Sequence, residues 1–432
     1  MKDKSFTRNL INMLEKCTCA FTAVSEIKSI LDKNGYIELK ESDNWNLSNT
    51  KYYVVRNDAS IIAFNIPKEK VDSFKIITSH CDTPSLILKS DGVYINSDSY
   101  LMHNIIPYGG LLNYGWFDHS LSLAGRVTYK EDDLIKSKII DHKRPVAVIP
   151  SLAIHLNDSA NKNLDLNMQE DLQPLFGLSS EKEYISKLIG IDNMKDYSLY
   201  LYNCESPELV GLNDELLLSP RIDNITSVYT SLKAFLESNN KKAINVFTSF
   251  NSEEIGSQTV DGADSSFLID TLKKICSILN LDVVKVFANS FIISSDNTHA
   301  SHPNHKDLDD KTGSIKLGDG FALIREISST TNDKSLSVIK TLCEKNDIKY
   351  KIYTIRNDLQ GGSALSSISL SHLSILSVDV GVAQLAMHSS KEVCSIADVY
   401  ELYKMMKSFY NSNISFLDSG VKIKWHITTL IL

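Results

Sequence analysis

From Leu10 to Leu31 apolar residues recur at close to helical spacing, and Gly35 follows where a C-cap would sit, which predicts an N-terminal helix. The next apolar runs are shorter and richer in β-branched and aromatic residues. YYVV, SIIAFNI and FKIITSH are separated by turn-forming residues and read as strands of a central sheet. Between about Ser90 and Ser219 the pattern changes to Gly, Tyr, Trp and polar loops around a strand-like VAVIP, the texture of an inserted β-rich unit. Helix and strand then alternate again. NITSVYTSLKAFLES and SLSVIKTLCEKN have helical patterns, INVFTSFN and FANSFIISS read as buried strands, and YKIYTIRND and LSILSVDVG lead into a last helix over DVYELYKMMKSFY. The expected fold is α/β: a mixed, parallel-rich sheet flanked by helices, built from residues 1–89 and 220–432 and interrupted by an insertion at 90–219. No internal repeat is visible.

The length of 432 residues exceeds one ordinary hydrophobic core, in keeping with two units. Apolar residues make up 43% of the chain and charged residues 23%, a composition that excludes disorder and low complexity. The net charge of -8, with Lys and Arg scattered throughout, leaves no electrostatic footprint for nucleic acid or an anionic membrane surface. Charged and amide residues interrupt the N-terminal segment, so it does not read as a secretory signal, and no run reaches the roughly 20 apolar residues of a membrane span. The seven cysteines are widely spread and lack the paired spacing of a structural zinc site, which makes reduced thiols in a cytoplasm the expectation.

The candidate chemistry sits where predicted strands run out, the edge at which open α/β sheets bind ligands. His80 and Asp82 follow FKIITS, Glu253 and Glu254 follow INVFTSFNS, and Asp296 follows FIISS. In TSHCDTP, His80 can offer one ring nitrogen to a metal while Asp82 accepts the other N–H; the plainer alternative is a strand-end His and a turn-starting Asp. Glu253 and Glu254 in NSEEIGS repel one another unless a cation or solvent relieves them, although such a pair also suits a solvated helix start. Asp223 in SPRIDNI could be a ligand or a first-turn acid complementing a helix dipole. Asp296 precedes three histidines in SSDNTHASHPNH, and His388 lies in AMHSSKE; either could belong to an ordinary polar loop.

Taken together and in order, these segments resemble the aspartyl aminopeptidase family of metallopeptidases, which form tetrahedral dodecamers. TAVSEIKSILDKNGYIEL, TSHCDTPSLILK, YGGLLNYGWFDHSLSLAGRV, VIPSLAIHLN, SPRIDN, NSEEIGS, SSDNTHASHPNH, IRNDLQGGSAL and VDVGVAQLAMHSSKE carry the likeness through essentially the whole chain. The resemblance implies that residues 1–89 and 220–432 form a zinc exopeptidase-like catalytic unit and that 90–219 serve dimerisation. It implies two zinc ions per chain, with cobalt or manganese tolerated by the same donors. Asp223 would bridge them, His80 and Asp296 completing one subsite, Glu254 and His388 the other. Glu253 would be the general base, Asp82 would orient His80, and His155 in SLAIHLN would reach a neighbouring subunit's active site to stabilise the reacting carbonyl. Lys316 in GSIKL would pair with acidic substrate side chains.

Four segments depart from the family pattern: SDNTHA after the strand of Asp296, His119 and Ser120 after WFD, KDLDD where a family histidine stands, and Gly361 where a cysteine is common. The expected activity is removal of the N-terminal residue from short peptides, preferring Asp or Glu there. A broad two-zinc aminopeptidase and a non-catalytic peptide-binding relative are the rival readings.

Overall fold

The structure, a computed structural model, describes residues 4–157, 159–162, 164–359 and 372–425. Its central sheet has nine strands in the spatial order Ile37–Leu39, Lys51–Arg56, Ser60–Asn65, Ala243–Phe250, Ser73–His80, Phe291–Ser295, Leu376–Gly381, Phe321–Ile324 and Tyr350–Tyr353. Neighbours run parallel at five junctions and antiparallel at three, the mixed, parallel-rich α/β sheet that the alternation predicts.

The three middle strands Ala243–Phe250, Ser73–His80 and Phe291–Ser295 are buried at every position. Such strands need helices on both faces, and period-two alternation divides their side chains between two cores. Ile77, Phe247 and Ile293 pack with the helices Lys4–Lys16, Ala20–Lys33, Ile222–Leu236, Asp333–Asn346 and Ile396–Asn411. Ile76, Val246 and Ile292 pack on the other side with Phe267–Ile278 and Val283–Ala288.

A second, antiparallel sheet of six strands is drawn from residues 85–203 and has its own core around Leu86, Trp116, Leu123 and Leu199. A third sheet orders Glu208–Val210, Leu216–Ser219, Glu392–Ser395, Ala383–Leu385 and Thr298–His299 side by side. It draws together chain segments that flank Asp223, Asp296 and His388.

Two local expectations need correction. The single N-terminal helix is two, Lys4–Lys16 and Ala20–Lys33. No Gly or Pro marks the break. Thr22 makes it, because its hydroxyl oxygen accepts the backbone N–H groups of Thr18 and Cys19, both at 2.9 Å, and donates to the Cys19 carbonyl. The VAVIP segment forms only isolated bridges, Leu121 with Ala147 and Val148 with Leu175. Prolines 145 and 150 close it at both ends and withhold the N–H groups a longer ladder needs.

All seven cysteines are free, and no described helix is long and apolar enough to cross a membrane.

Thr22→Val keeps the side-chain shape but orphans two buried N–H donors. We expect the denaturant midpoint to fall by the equivalent of about 1–3 kcal/mol; an unchanged midpoint would show that the break does not depend on this hydroxyl.

Candidate active site

The sheet register gathers the candidate residues. His80, the last residue of its strand, is the Cα partner of Phe250 on the adjacent parallel strand, so Glu253 and Glu254 emerge beside it. The strand Phe291–Ser295 pairs on the other side and delivers Asp296 to the same edge. Asp223 comes from the start of Ile222–Leu236, where residues 223 and 224 leave helical geometry and the peptide bond between them is cis. His388 follows Ala383–Leu385 in the third sheet.

These side chains meet in three overlapping groups. His80 Nε2 lies 3.2 Å from Asp296 Oδ1 and 3.4 Å from Asp223 Oδ1. His388 Nε2 lies 3.4 Å from Glu254 Oε2 and 3.7 Å from Asp223 Oδ2. Asp223 thus faces one imidazole with each oxygen. Potential ligand atoms fall within 4.8 Å of one another in His80, Asp223 and Asp296, in Asp223, Glu254 and His388, and also in His80, Glu253 and Glu254. Glu253 Oε2 stands 4.0 Å from His80 Nε2, beside the first group.

Asp82 organises the turn that carries the glutamates. Its carboxylate accepts the backbone N–H groups of Glu253 at 3.2 Å and Glu254 at 3.1 Å, together with the Tyr108 hydroxyl at 2.8 Å. Its contact with His80 is shared between two oxygens, since His80 Nδ1 sits 3.1 Å from the Asp82 carbonyl and 3.4 Å from its carboxylate. The segment Tyr108-Gly109-Gly110 completes this wall. Gly110 offers its carbonyl to His388 Nδ1 at 2.7 Å. A Cβ on Gly109, whose φ is +76°, would come within 3.0 Å of the Glu254 Cβ, so only glycine fits without a shift.

The electrostatics call for cations. Burial pushes the Glu253 carboxyl up to about 8, with the neighbouring carboxylates adding to the rise and His80 opposing it. Burial likewise raises Glu254 well above the carboxylate range, and Asp296 rises for the same first reason. Burial would push Asp223 up as well, but His80 and His388 draw it below its ordinary value. Burial would lower His80, yet the facing carboxylates lift it well above the usual imidazole value. Asp223 Oδ1 and Glu254 Oε1 are buried with no hydrogen-bond partner. Unpaired oxygens within reach of imidazole nitrogens fit divalent metal ions, and the mixed N/O donor set suits zinc.

Two expected residues stand apart from this cluster within one chain. His155 sits in the short helical turn Ile154–Leu156, exposed among exposed Leu152, Ile154 and Leu156. Lys316 is exposed, with its backbone N–H on Asp319; its neighbours Ser314 and Ile315, but not Lys316, line a cavity of about 260 Å³ that residues 384–387, the segment before His388, also border. That cavity is also lined by His299, His302, His305, Asp309, Arg356 and Met387. Gly361 lies outside the described residues.

Sequence reasoning missed Tyr108, Gly109 and Gly110, which were assigned to the insertion alone, and Glu392. Glu392 is buried and accepts the backbone N–H groups of both Asp223 and His388 at 3.0 Å. Burial, with Asp223 nearby, pushes its carboxyl up to about 8. The Gly-Gly pair was a visible signal; nothing in SSKEV marked its glutamate as buried.

Comparison with known proteins agrees with this geometry. The family model described as "Aminopeptidase I zinc metalloprotease (M18)" matches residues 13–410. A probable M18 family aminopeptidase 2 of Clostridium novyi is 38% identical, covering 95% of this chain and 100% of its own length. The Clostridium acetobutylicum protein of the same description is 35% identical, covering 94% and 98%. Among solved structures, the M18 aminopeptidase of Thermotoga maritima superposes with a TM-score of 0.84 at 25% identity, covering 95% of this chain and 97% of its own. Chaetomium thermophilum mApe1 gives 0.85 at 26%, covering 94% and 97%. The S. cerevisiae mApe1 dodecamer gives 0.82 at 24%, covering 94% and 96%, and shares the fold. With a family match spanning nearly the whole chain and relatives above one-third identity over almost their full length, this chain belongs to the M18 family of zinc aminopeptidases.

Proposed function

We propose that this aminopeptidase releases single N-terminal residues from short peptides with two zinc ions per chain, favouring acidic N-termini. The observation that carries the two-ion reading is the double-facing Asp223, whose two oxygens address His80 and His388 separately. His80 and Asp296 would complete one subsite, Glu254 and His388 the other. Bound there, the ions would supply Lewis acidity, acidifying a water and polarising the scissile carbonyl.

The chain's own residues supply the remainder. Glu253 stands beside the first subsite, grouped with His80 and Glu254 but not with Asp223, and a carboxylate placed there can take up a proton and return it to the leaving amine. Asp82 holds the Glu253 backbone in place through its N–H. Tyr108 in turn fixes Asp82.

We read residues 90–219 as the inserted dimerisation unit. The exposed apolar surroundings of His155 support its reaching a neighbouring subunit, where its imidazole would stabilise the reacting carbonyl. A dodecamer built from dimers accords with the assembly named for the yeast protein of the same fold. Free cysteines throughout support a cytoplasmic location.

The acidic preference is supported by the basic side chains His302, His305 and Arg356, which line the cavity bordered by the segment before His388, with Lys316 following the lining residues Ser314 and Ile315. Arg356 is bound to Asp358 at 2.6 Å, and Asp309 lines the same cavity, which favours broad specificity as the second reading.

Aminoacyl-anilides of aspartate, glutamate and leucine, assayed with and without chelator, decide between them. Faster hydrolysis of the acidic pair supports the first reading, equal rates the second, and no hydrolysis with any metal would leave a peptide-binding relative. Glu253→Gln should lower turnover by about 10²–10⁴-fold while zinc stays near two per chain by elemental analysis; loss of metal would mean that Glu253 is a ligand. His155→Ala should reduce kcat by about 10²-fold with the assembly size unchanged by light scattering; an unaltered rate would exclude sharing between subunits.

A further inference from the structure

Glu392 begins the strand Glu392–Ser395, and its Cα partner is Ser219, at the end of the strand that leads into Asp223. It is 2% exposed and has no cationic partner among the described residues. A buried carboxylate in that condition is expensive unless its oxygens are well bonded. Here they are. Oε2 accepts the Asp223 N–H at 3.0 Å, and Oε1 accepts the His388 N–H at 3.0 Å and Gln384 Nε2 at 2.9 Å. Three donors converge on a group that has only acceptors to offer, a demand that a carboxylate meets on both oxygens and an amide on one.

The network runs on from Gln384. Its Oε1 accepts Asn297 Nδ2 at 2.8 Å. Asn297, next to Asp296, also donates to the Ile222 carbonyl at 3.0 Å and accepts the Val382 N–H at 3.2 Å. Ile222 precedes Asp223. One buried chain of side chains therefore ties together the main chain around Asp223, Asp296 and His388. His388 itself lies at φ +66° and Ala386 at φ +56°, backbone states that an L-residue holds only under constraint.

We propose that Glu392 is a positioning residue for the metal centre, which with Gln384 and Asn297 sets how tightly the subsite shared by Asp223 and His388 holds its ion. It touches no ligand side chain. It acts by fixing two ligand-bearing backbones against one another, through the N–H groups of Asp223 and His388 that its two oxygens accept. The inference rests on the two-ion reading above.

Chelator competition on the purified zinc-loaded protein tests it. In Glu392→Gln one of the two bound ions should be lost at about 10–100-fold lower chelator concentration than in the parent, with the other ion little affected. The thermal midpoint supplies a readout that a merely structural role would not produce. The variant's deficit should be large in the zinc-loaded protein and small after metal is stripped, since only with an ion bound does the fixed spacing of the Asp223 and His388 backbones contribute binding energy. Superimposable chelator curves, or an equal deficit in both metal states, would overturn the proposal. Gln384→Met breaks the relay but leaves Glu392 in place; it should give a smaller loss at the same step and carries the test if Glu392→Gln does not fold. A parent protein that holds fewer than two ions would instead refute the two-ion reading.

Discussion

The molecule is arranged around a repulsion. Asp82, Asp223, Glu253, Glu254, Asp296 and Glu392 crowd one edge of the sheet, largely out of water, with two imidazoles among them. At such separations in a medium far less polarisable than water, like charges cost several kcal/mol per pair unless protons or cations intervene. Protons answer it only piecemeal, because each neutralises a single carboxylate. Divalent cations relieve all the contacts together. The unpartnered oxygens of Asp223 and Glu254 are what such relief leaves behind when only the protein is considered.

That crowding is possible because the sheet is rigid where it ends. Ser73–His80 and Ala243–Phe250 stay in register to their last residues, and the Cys81 N–H still bonds the Phe250 carbonyl at 2.8 Å beyond the final pair. The ligands leave from these ends, so their positions inherit the precision of a fully buried parallel ladder. The six-stranded sheet contributes from outside. Its Tyr108-Gly109-Gly110 segment closes over Asp82, Glu254 and His388, so the six-stranded sheet shapes the centre as well as any interface it makes.

Most strands of the central sheet and the helices Ile222–Leu236, Asp333–Asn346 and Ile396–Asn411 were legible because their apolar periods are local, whereas the helices Phe267–Ile278 and Val283–Ala288 and the strands of the second sheet were not read. The same is true of the His80, Glu253, Glu254 and Asp296 positions, which a strand pattern places at one edge without any knowledge of contacts. Asp223 and His388 became readable only through the likeness of whole segments, since a helix start and a loop histidine carry no periodic mark. Glu392 was not legible at all. Its function lies in three N–H groups contributed by residues 384, 388 and 223, and the last of these is 169 positions away along the chain. The helix break at Cys17–Cys19 escaped for a related reason, because Thr22 acts there by a hydrogen bond rather than by its propensity.

The backbone around the ligands shows how repulsion and rigidity are reconciled. Arg221, Ser252, Ala386 and His388 all have φ between +56° and +66°, and each lies within two residues of a ligand or is one. Such conformations cost of order 1 kcal/mol or more apiece and persist only where surroundings over-determine them. The surroundings are identifiable. The Arg221 guanidinium is buried and donates to the carbonyls of Asn203 and Leu14, joining the turn before Asp223 to the second sheet and to the N-terminal helix. The Ser252 turn is held by Asp82, and the His388 turn by Glu392 and Gly110. The strained turns are thus each clamped by a group outside the metal-ligand set, which lets the ligands approach one another more closely than their charges alone would allow. Binding energy from metal ions held there would feed back into the fold, since a site assembled under strain and repulsion is stabilised most by what relieves them.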